Sequence, residues 1–226
     1  MVINIFARKL QQASELGIPR VAAGIYEKIA GNKLLSKLHE TVVARIKLGA
    51  SIQYILDVGC GPGHLLSKLL KRYKKPVYAI GMDISPAMVK LARKRLLDDE
   101  GPGVSDVVAG DAMRLPFRSS SFNYAVSTGV LHHIPSPEKF FEEIHRVIRR
   151  GSLGLVYEFS PDTPWSEVKE ASKNIGVNPL LIKIASSMHG IPRREYLKGY
   201  ISKALKGINH EVNFINIATE VKIKKY

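Results

Sequence analysis

Residues 55–63 read Ile55-Leu-Asp-Val-Gly-Cys-Gly-Pro-Gly63. A short apolar, β-rich run (51–58) leads into three glycines on alternate positions, and a helical pattern (64–73) follows. Strand, glycine turn and helix in that order make a glycine cluster a ligand loop. Gly59, Gly61 and Gly63 let backbone N–H groups approach a ligand and permit φ angles that other residues avoid. The dinucleotide fingerprint G-x-G-x-x-G needs its third glycine at position 64, where this chain has His64. A pyrophosphate loop is therefore disfavoured. The phosphate loop G-x-x-x-x-G-K-[ST] is absent from the sequence.

Outward from this loop the chain alternates. Strand patterns at 76–82, 104–109, 122–127 and 152–159 are separated by helical patterns at 86–97 and 137–149. Ser85 is a candidate N-cap before Pro86, and Gly151 a stop for the helix from Pro137. Such alternation predicts an α/β doubly wound, mostly parallel sheet. Before it, Leu34, Leu35, Leu38, Val42 and Ile46 form an apolar face at helical spacing, so residues 1–50 read as a helical segment. The domain proper is 51–226. Within it, helical patterns at 163–175, 179–187 and 193–205 make 162–206 a cap, and strand-like runs at 211–217 and 220–225 close the chain.

Acidic residues recur at strand ends. Asp57 precedes the glycine loop, where it can orient loop amides or meet a cationic group of a ligand. Asp83 ends the second strand 24 residues after Gly59, close to the roughly 20-residue spacing of the acid that binds ribose hydroxyls. Asp111 follows the third strand.

These stretches together resemble the class I S-adenosylmethionine (SAM)-dependent methyltransferases, type 11 group, the branch that includes the ubiquinone/menaquinone C-methyltransferases. LDVGCGPG, GMDIS, GDAMRLPF, STGVLHHIPSPEKFFEEIHRVIRRG and LGLVYEFSP stand in family order and spacing over about residues 51–161. The resemblance implies a Rossmann-like, seven-stranded sheet with its last strand antiparallel, and SAM as cofactor. It implies that Gly59, Gly61 and nearby backbone hold the methionine part and that Asp83 holds the ribose. Asp111 and the Ala112 amide would meet adenine between Ile84 and Met113, and Ser127 to Gly129 would line the methionine end. Tyr26, in Gly24-Ile-Tyr-Glu-Lys-Ile-Ala30, looks like the tyrosine that closes over SAM in related enzymes; it is also a natural core aromatic of a helix.

For chemistry, His132 and His133 follow the fourth strand. Either one is a candidate base, or the pair serves the cofactor loop. Glu158 near the end of the fifth strand faces the acceptor or pairs with a basic residue. Cys60 reads as a small packing residue. His39, His145, His189 and His210 show no ligand spacing along the chain, so no metal is expected. The sequence after the fourth strand has neither Asn/Asp-Pro-Pro-Tyr nor cysteine, which removes nucleobase amino-methylation and cysteine-dependent C5 methylation from the field.

Composition bounds the rest. The chain has 226 residues, 45% hydrophobic and 24% charged, with one cysteine, so internal disulfides and cysteine-built metal sites are excluded. No run reaches the roughly 18 apolar residues of a membrane span, and the start lacks the apolar core of a secretory leader. A cytoplasmic location is expected, and few glutamines beside many lysines fit a thermophile. The net charge of +14 is concentrated in the flanks: +5 over residues 1–50, +4 over 51–159 and +5 over 160–226. Basic flanks attract anionic partners, RNA among them. Three readings follow: methylation of a small-molecule acceptor, favoured by the apolar run 179–188; methylation of RNA; and a non-catalytic SAM-binding subunit.

Overall fold

The computed structural model describes residues 33–47, 49, 53–73, 77–97 and 103–226, without the side chains of residues 33, 104, 181, 184 and 188. Seven strands form one sheet: β1 (Gln53–Val58), β2 (Val77–Asp83), β3 (Val104–Ala109), β4 (Phe122–Thr128), β5 (Ile148–Phe159), β6 (His210–Ile215) and β7 (Ala218–Lys224). Their spatial order is β3-β2-β1-β4-β5-β7-β6. The first five pair in parallel, and β7 runs antiparallel between β5 and β6. This is the doubly wound, seven-stranded architecture that the alternating pattern predicts, with one antiparallel strand.

Helices cover both faces because strand residues alternate in direction and both sets are apolar. Ile55, Ala79, Val107, Val126, Tyr157 and Phe159 point to one face. There they meet α1 (Lys33–Arg45), α2 (His64–Arg72), α3 (Pro86–Leu97), α5 (Trp165–Ile175) and α6 (Pro179–Met188). Leu56, Val58, Met82, Ala125 and Val156 point to the other face, against α4 (Pro137–Val147), α7 (Arg193–Leu197) and α8 (Tyr200–Ala204). In α4, Phe140, Phe141, Ile144 and Val147 are fully buried at helical spacing, while Pro137 opens the helix and His145 and Arg146 close it. No helix of the described residues is long and apolar enough to cross a membrane.

One boundary differs from the sequence reading. α4 ends at Val147, and Gly151 is not its stop. Gly151 lies within β5 at φ 74°, donating its N–H to the Lys225 carbonyl at 2.7 Å. The β4–β5 register shifts there, from Phe122 opposite Ile148 to Tyr124 opposite Leu153. A bulge with a left-handed glycine produces the same local signal as a helix stop.

The segment 162–206 wraps the end of β5 and divides between the two faces. Arg193 fastens the halves: its Nη1 and Nη2 donate to Glu167 Oε1 (3.0 Å) and Oε2 (2.6 Å), and Nη2 also reaches the Asn216 carbonyl at 2.6 Å. At the far side, buried Glu220 of β7 accepts from Tyr157 Oη at 2.5 Å and Asn213 Nδ2 at 3.0 Å, and pairs with Arg45 Nε of α1 at 3.3 Å. Removing one member of a buried, hydrogen-bonded charge set leaves its partners without their counterpart. Glu220→Ala is therefore expected to lower stability by about 3 kcal/mol, and Glu220→Gln by about 1 kcal/mol. The shift of the urea midpoint at constant slope measures both.

Candidate active site

The strand order reverses between β1, whose neighbours continue to β2 and β3, and β4, which continues to β5. Loops leaving the carboxyl ends of these two strands diverge, and open α/β sheets bind ligands in the resulting crevice. Its walls include Gly59, Gly61 and Pro62 after β1, Thr128 at the end of β4, and Leu35 and His39 from α1.

Packing explains two of the glycines directly. Gly59 has φ 74°, and a Cβ there would run into Val130 Cγ2; Gly63 has φ 81°, and its Cβ would lie 3.1 Å from that of Ala92 in α3. The loop amides do not face outward as the sequence reading has them. Gly59 and Cys60 N–H both donate to the Met82 carbonyl (2.7 and 2.9 Å), Gly61 N–H to Asp83 Oδ2 (2.9 Å), and Gly63 N–H to the Cys60 carbonyl (3.0 Å). The end of β2 lies level with the loop, and the loop folds onto its acceptors. Inward amides form no nest for a phosphate, in line with the missing third fingerprint glycine.

The ends of β1 and β2 beside the loop carry acidic residues instead. Asp57 is 1% exposed, and neither carboxylate oxygen has a hydrogen-bond partner among the described residues. Burial first, then the Asp83 charge, pushes its pKa up to about 8. Asp57 thus orients no loop amide among the described residues. Asp83 accepts from Gly61 N–H and, through Oδ1, from Ser85 N–H at 2.9 Å; burial raises its pKa against these two bonds. An ionised carboxylate offers about four lone-pair sites, so Asp83 retains capacity for hydroxyl donors.

Ile84, beside Asp83, is 46% exposed, an apolar side chain held at the crevice rim. Asp111 Oδ1 accepts from Met113 N–H at 2.8 Å, closing the turn after β3; Ala112 is buried and Met113 half-buried. Cys60 is buried, and its thiol is pushed up by burial and by Asp57 and Asp83, as suits a packing residue. Ser127 departs from its expected place. It is 0% exposed and donates Oγ–H to the Val58 carbonyl at 2.8 Å, pinning β4 to β1, so its side chain lines no ligand surface. Thr128 and Gly129, both partly exposed, follow it at the crevice. Tyr26 lies outside the described residues.

Beyond β4, the turn Leu131–His133 carries the two histidines. His132 Nδ1 lies 2.9 Å from Glu158 Oε2, which also accepts the His132 backbone N–H at 3.1 Å; Glu158 Oε1 accepts Phe159 N–H at 3.0 Å. The two candidate catalytic residues, 26 apart in sequence, are thus a bonded pair in which Glu158, 1% exposed, sets the ring. Of the two options for Glu158, it takes the basic partner.

Several residues of this region carry no local sequence signal. His189, from the α6–α7 connection, brings its ring centroid to 5.5 Å from that of His132, and His133 lies at 3.9 Å. Burial, with the charges of His132 and His189, holds His133 down at about 3. Tyr196 of α7 is buried without a hydrogen-bond partner for its hydroxyl among the described residues; burial, then the Glu158 charge, raises its phenol. His39 of α1 lies 3.3 Å from Thr128 Oγ1, and burial, then His64 and Lys68, lowers its pKa to about 3.

A methyltransferase-domain family model of the type 11 group matches residues 56–156, the segment that builds this crevice. Over this segment the chain is similar to the methyltransferase domain of class I SAM-dependent enzymes. A demethylmenaquinone methyltransferase of Lactiplantibacillus plantarum is 34% identical to this chain over 126 residues, 54% of the chain and 52% of that relative. A sterol 4-C-methyltransferase of Caenorhabditis elegans is 29% identical over 137 residues, 58% of the chain and 39% of the relative. The chain therefore spans about half or less of the length of these curated relatives. Its fold matches the crystal structure of a Methanococcus maripaludis protein described as a SAM-dependent methyltransferase, with TM-score 0.68, 18% identity, and coverage of 91% and 93% of the two chains.

Proposed function

We propose that the chain transfers a methyl group from SAM to a small-molecule acceptor. The observation that carries this reading is the unpartnered, buried Asp57 carboxylate beneath a loop whose amides face inward. An unpartnered carboxylate beside inward amides suits a cation better than a pyrophosphate. It fits the ammonium and sulfonium of SAM, with Asp83 on the ribose hydroxyls, and Ile84, Asp111, Ala112 and Met113 around adenine. When bound, SAM supplies an electrophilic methyl group. The chain's own task is then alignment of the acceptor, which is worth roughly 7–11 kcal/mol when reacting atoms are held in line. His132, held by Glu158, is the group that handles the acceptor's proton or oxygen. Of the acceptor walls expected from residues 1–50 and 162–206, α1 and the segment 162–206 lie among the described residues, and residues 1–32 lie outside them.

A small acceptor is favoured over RNA by what the cap does with its charges. The groove between α1 and α5 is apolar, lined by Leu34, Leu38, Phe159, Ala171, Ile175 and Ile217 among others. Lys183 donates to the carbonyls of Pro161 (3.0 Å) and Thr163 (2.5 Å), Arg193 is bonded to Glu167, and Lys225 donates to the carbonyls of Arg146 and Ile148. These cations of the C-terminal flank are engaged within the chain.

The test is transfer of a labelled methyl group from SAM into separate metabolite and RNA extracts. Label in a small molecule supports the reading; label in RNA overturns the acceptor class. SAM binding without transfer in either extract leaves the non-catalytic subunit. Asp83→Ala is expected to weaken SAM binding more than tenfold, because it removes a charged acceptor from two hydroxyls. Calorimetry giving an unchanged affinity would remove Asp83 from the site.

A further inference from the structure

We propose that His132, His133 and His189 together bind a divalent cation of the zinc class. Each of the three imidazoles offers a ring nitrogen, and these ligand atoms all lie within 4.8 Å of one another. Zinc–imidazole bonds of about 2.0–2.1 Å place tetrahedral ligands about 3.3 Å apart, so the three nitrogens need to close by at most about 1.5 Å, within reach of side-chain rotation. The residues come from two separate places, the turn after β4 and the α6–α7 connection. Spacing along the chain gives no reason to group 132 and 133 with 189, and the expectation of no metal rested on spacing alone.

The feature that turns three nearby rings into a site is Glu158. Its Oε2 lies 2.9 Å from His132 Nδ1 and also accepts the His132 backbone N–H, which fixes both the ring and its tautomer. With Nδ1–H directed at the carboxylate, Nε2 is the atom presented as ligand. A carboxylate behind a histidine in this manner orients metal-bound imidazoles and raises their basicity. The donor set is all imidazole, which suits zinc and its transition-metal neighbours and not magnesium or calcium. Three protein ligands leave a fourth position, the pattern of catalytic and not of structural zinc. His133 and His189 are partly exposed, so that position is reachable.

The role of the metal rests on the methyl-transfer reading, whereas its binding does not. A hydroxyl or phenol acceptor coordinated at the fourth position would lose its proton to solvent and stand as the oxyanion that attacks the methyl group; the oxygen–methyl bond forms as the methyl–sulfur bond breaks, and the neutral thioether S-adenosylhomocysteine leaves. His132 is then a ligand, with Glu158 as its positioning residue.

The experiment uses the full chain stripped of metal with a chelator, titrated with Zn2+ against a chromophoric competitor. One Zn2+ per chain is expected. His189→Ala should weaken it at least tenfold, and Glu158→Gln about 10- to 100-fold, while His145→Ala, outside the cluster, should bind as wild type. The tetrahedral absorption spectrum of bound Co2+ should be lost in His189→Ala, and thermal melts of the metal-free variants should show that the fold persists. Equal Zn2+ affinity in wild type and His189→Ala, or in wild type and Glu158→Gln, overturns the site. SAM calorimetry on the same metal-free samples separates the two readings. SAM binding without zinc binding sinks only the metal site, and failure of SAM to bind sinks only the methyl-transfer reading.

Discussion

Asp57→Asn is expected to make the chain more stable and worse at holding SAM. Asp57 is buried, its carboxylate has no hydrogen-bond partner among the described residues, and burial and Asp83 push its pKa up to about 8 from 3.8. A carboxyl whose folded pKa lies above its unfolded value binds more protons in the folded state. Stability therefore falls as pH rises from about 4 to about 8, and the whole penalty is present above the upper value. The shift corresponds to a ceiling on the order of 5 kcal/mol. Asparagine removes the charge but buries an amide that itself lacks partners, a cost of about 1–3 kcal/mol. The net gain at pH 8 is about 2 kcal/mol, or a rise in melting temperature of about 4–8 °C for a chain of this size. At pH 5, where most of the penalty is absent, the gain should shrink or change sign.

The same substitution removes the charge proposed to meet the ligand's cationic group, so SAM affinity at pH 8 should fall at least tenfold. Wild type should release a proton on binding SAM below pH 8, because the cation favours the ionised carboxylate; asparagine should abolish that release. Calorimetry in buffers of different ionisation enthalpy reads it. A variant that melts no higher than wild type at pH 8, yet binds SAM equally well, would contradict both the burial penalty and the assigned role. A gain in stability joined to a loss of binding is the usual sign of a site kept strained for function.

The sequence carried the frame of this site but not its details. The sheet was legible because alternating runs such as 55–58 and 104–109, broken by glycine and by helix-period segments, allow few other packings. The positions of Asp57, Asp83 and Asp111 at strand ends followed from the same pattern. The direction of the loop amides did not, because residue types do not say whether an N–H meets a ligand or the Met82 carbonyl. Ser127 has a suitable hydroxyl at a suitable strand end, and only the three-dimensional register shows it turned to Val58. Gly151 was misread because a bulge and a helix stop demand the same left-handed φ. His189 and Tyr196 were invisible because they belong to the cap, where no regular pattern fixes which side chains meet the β4 and β5 ends.

The bonded pair His132–Glu158 carries the other large expected effect. Glu158 offers two oxygens to three donors, His132 Nδ1–H, His132 N–H and Phe159 N–H. It holds the turn and ring together, so the residues should act as one unit. On the acceptor identified by labelled-methyl transfer, His132→Ala is expected to lower kcat about 10²- to 10³-fold, the range for loss of a group that handles the acceptor's proton or oxygen in the transition state. Glu158→Gln, which keeps the shape but loses the charge behind the ring, should lower kcat by a similar factor. Glu158→Asp should recover part of the loss by restoring the carboxylate. The double variant should be little worse than the poorer single variant, because removing either member already disables the unit. SAM affinity should stay within twofold throughout, since neither side chain belongs to the proposed cofactor cradle. Additive losses in the double variant, or a fall in SAM affinity that accounts for the lost rate, would assign the pair to folding of the turn and leave the acceptor to other groups.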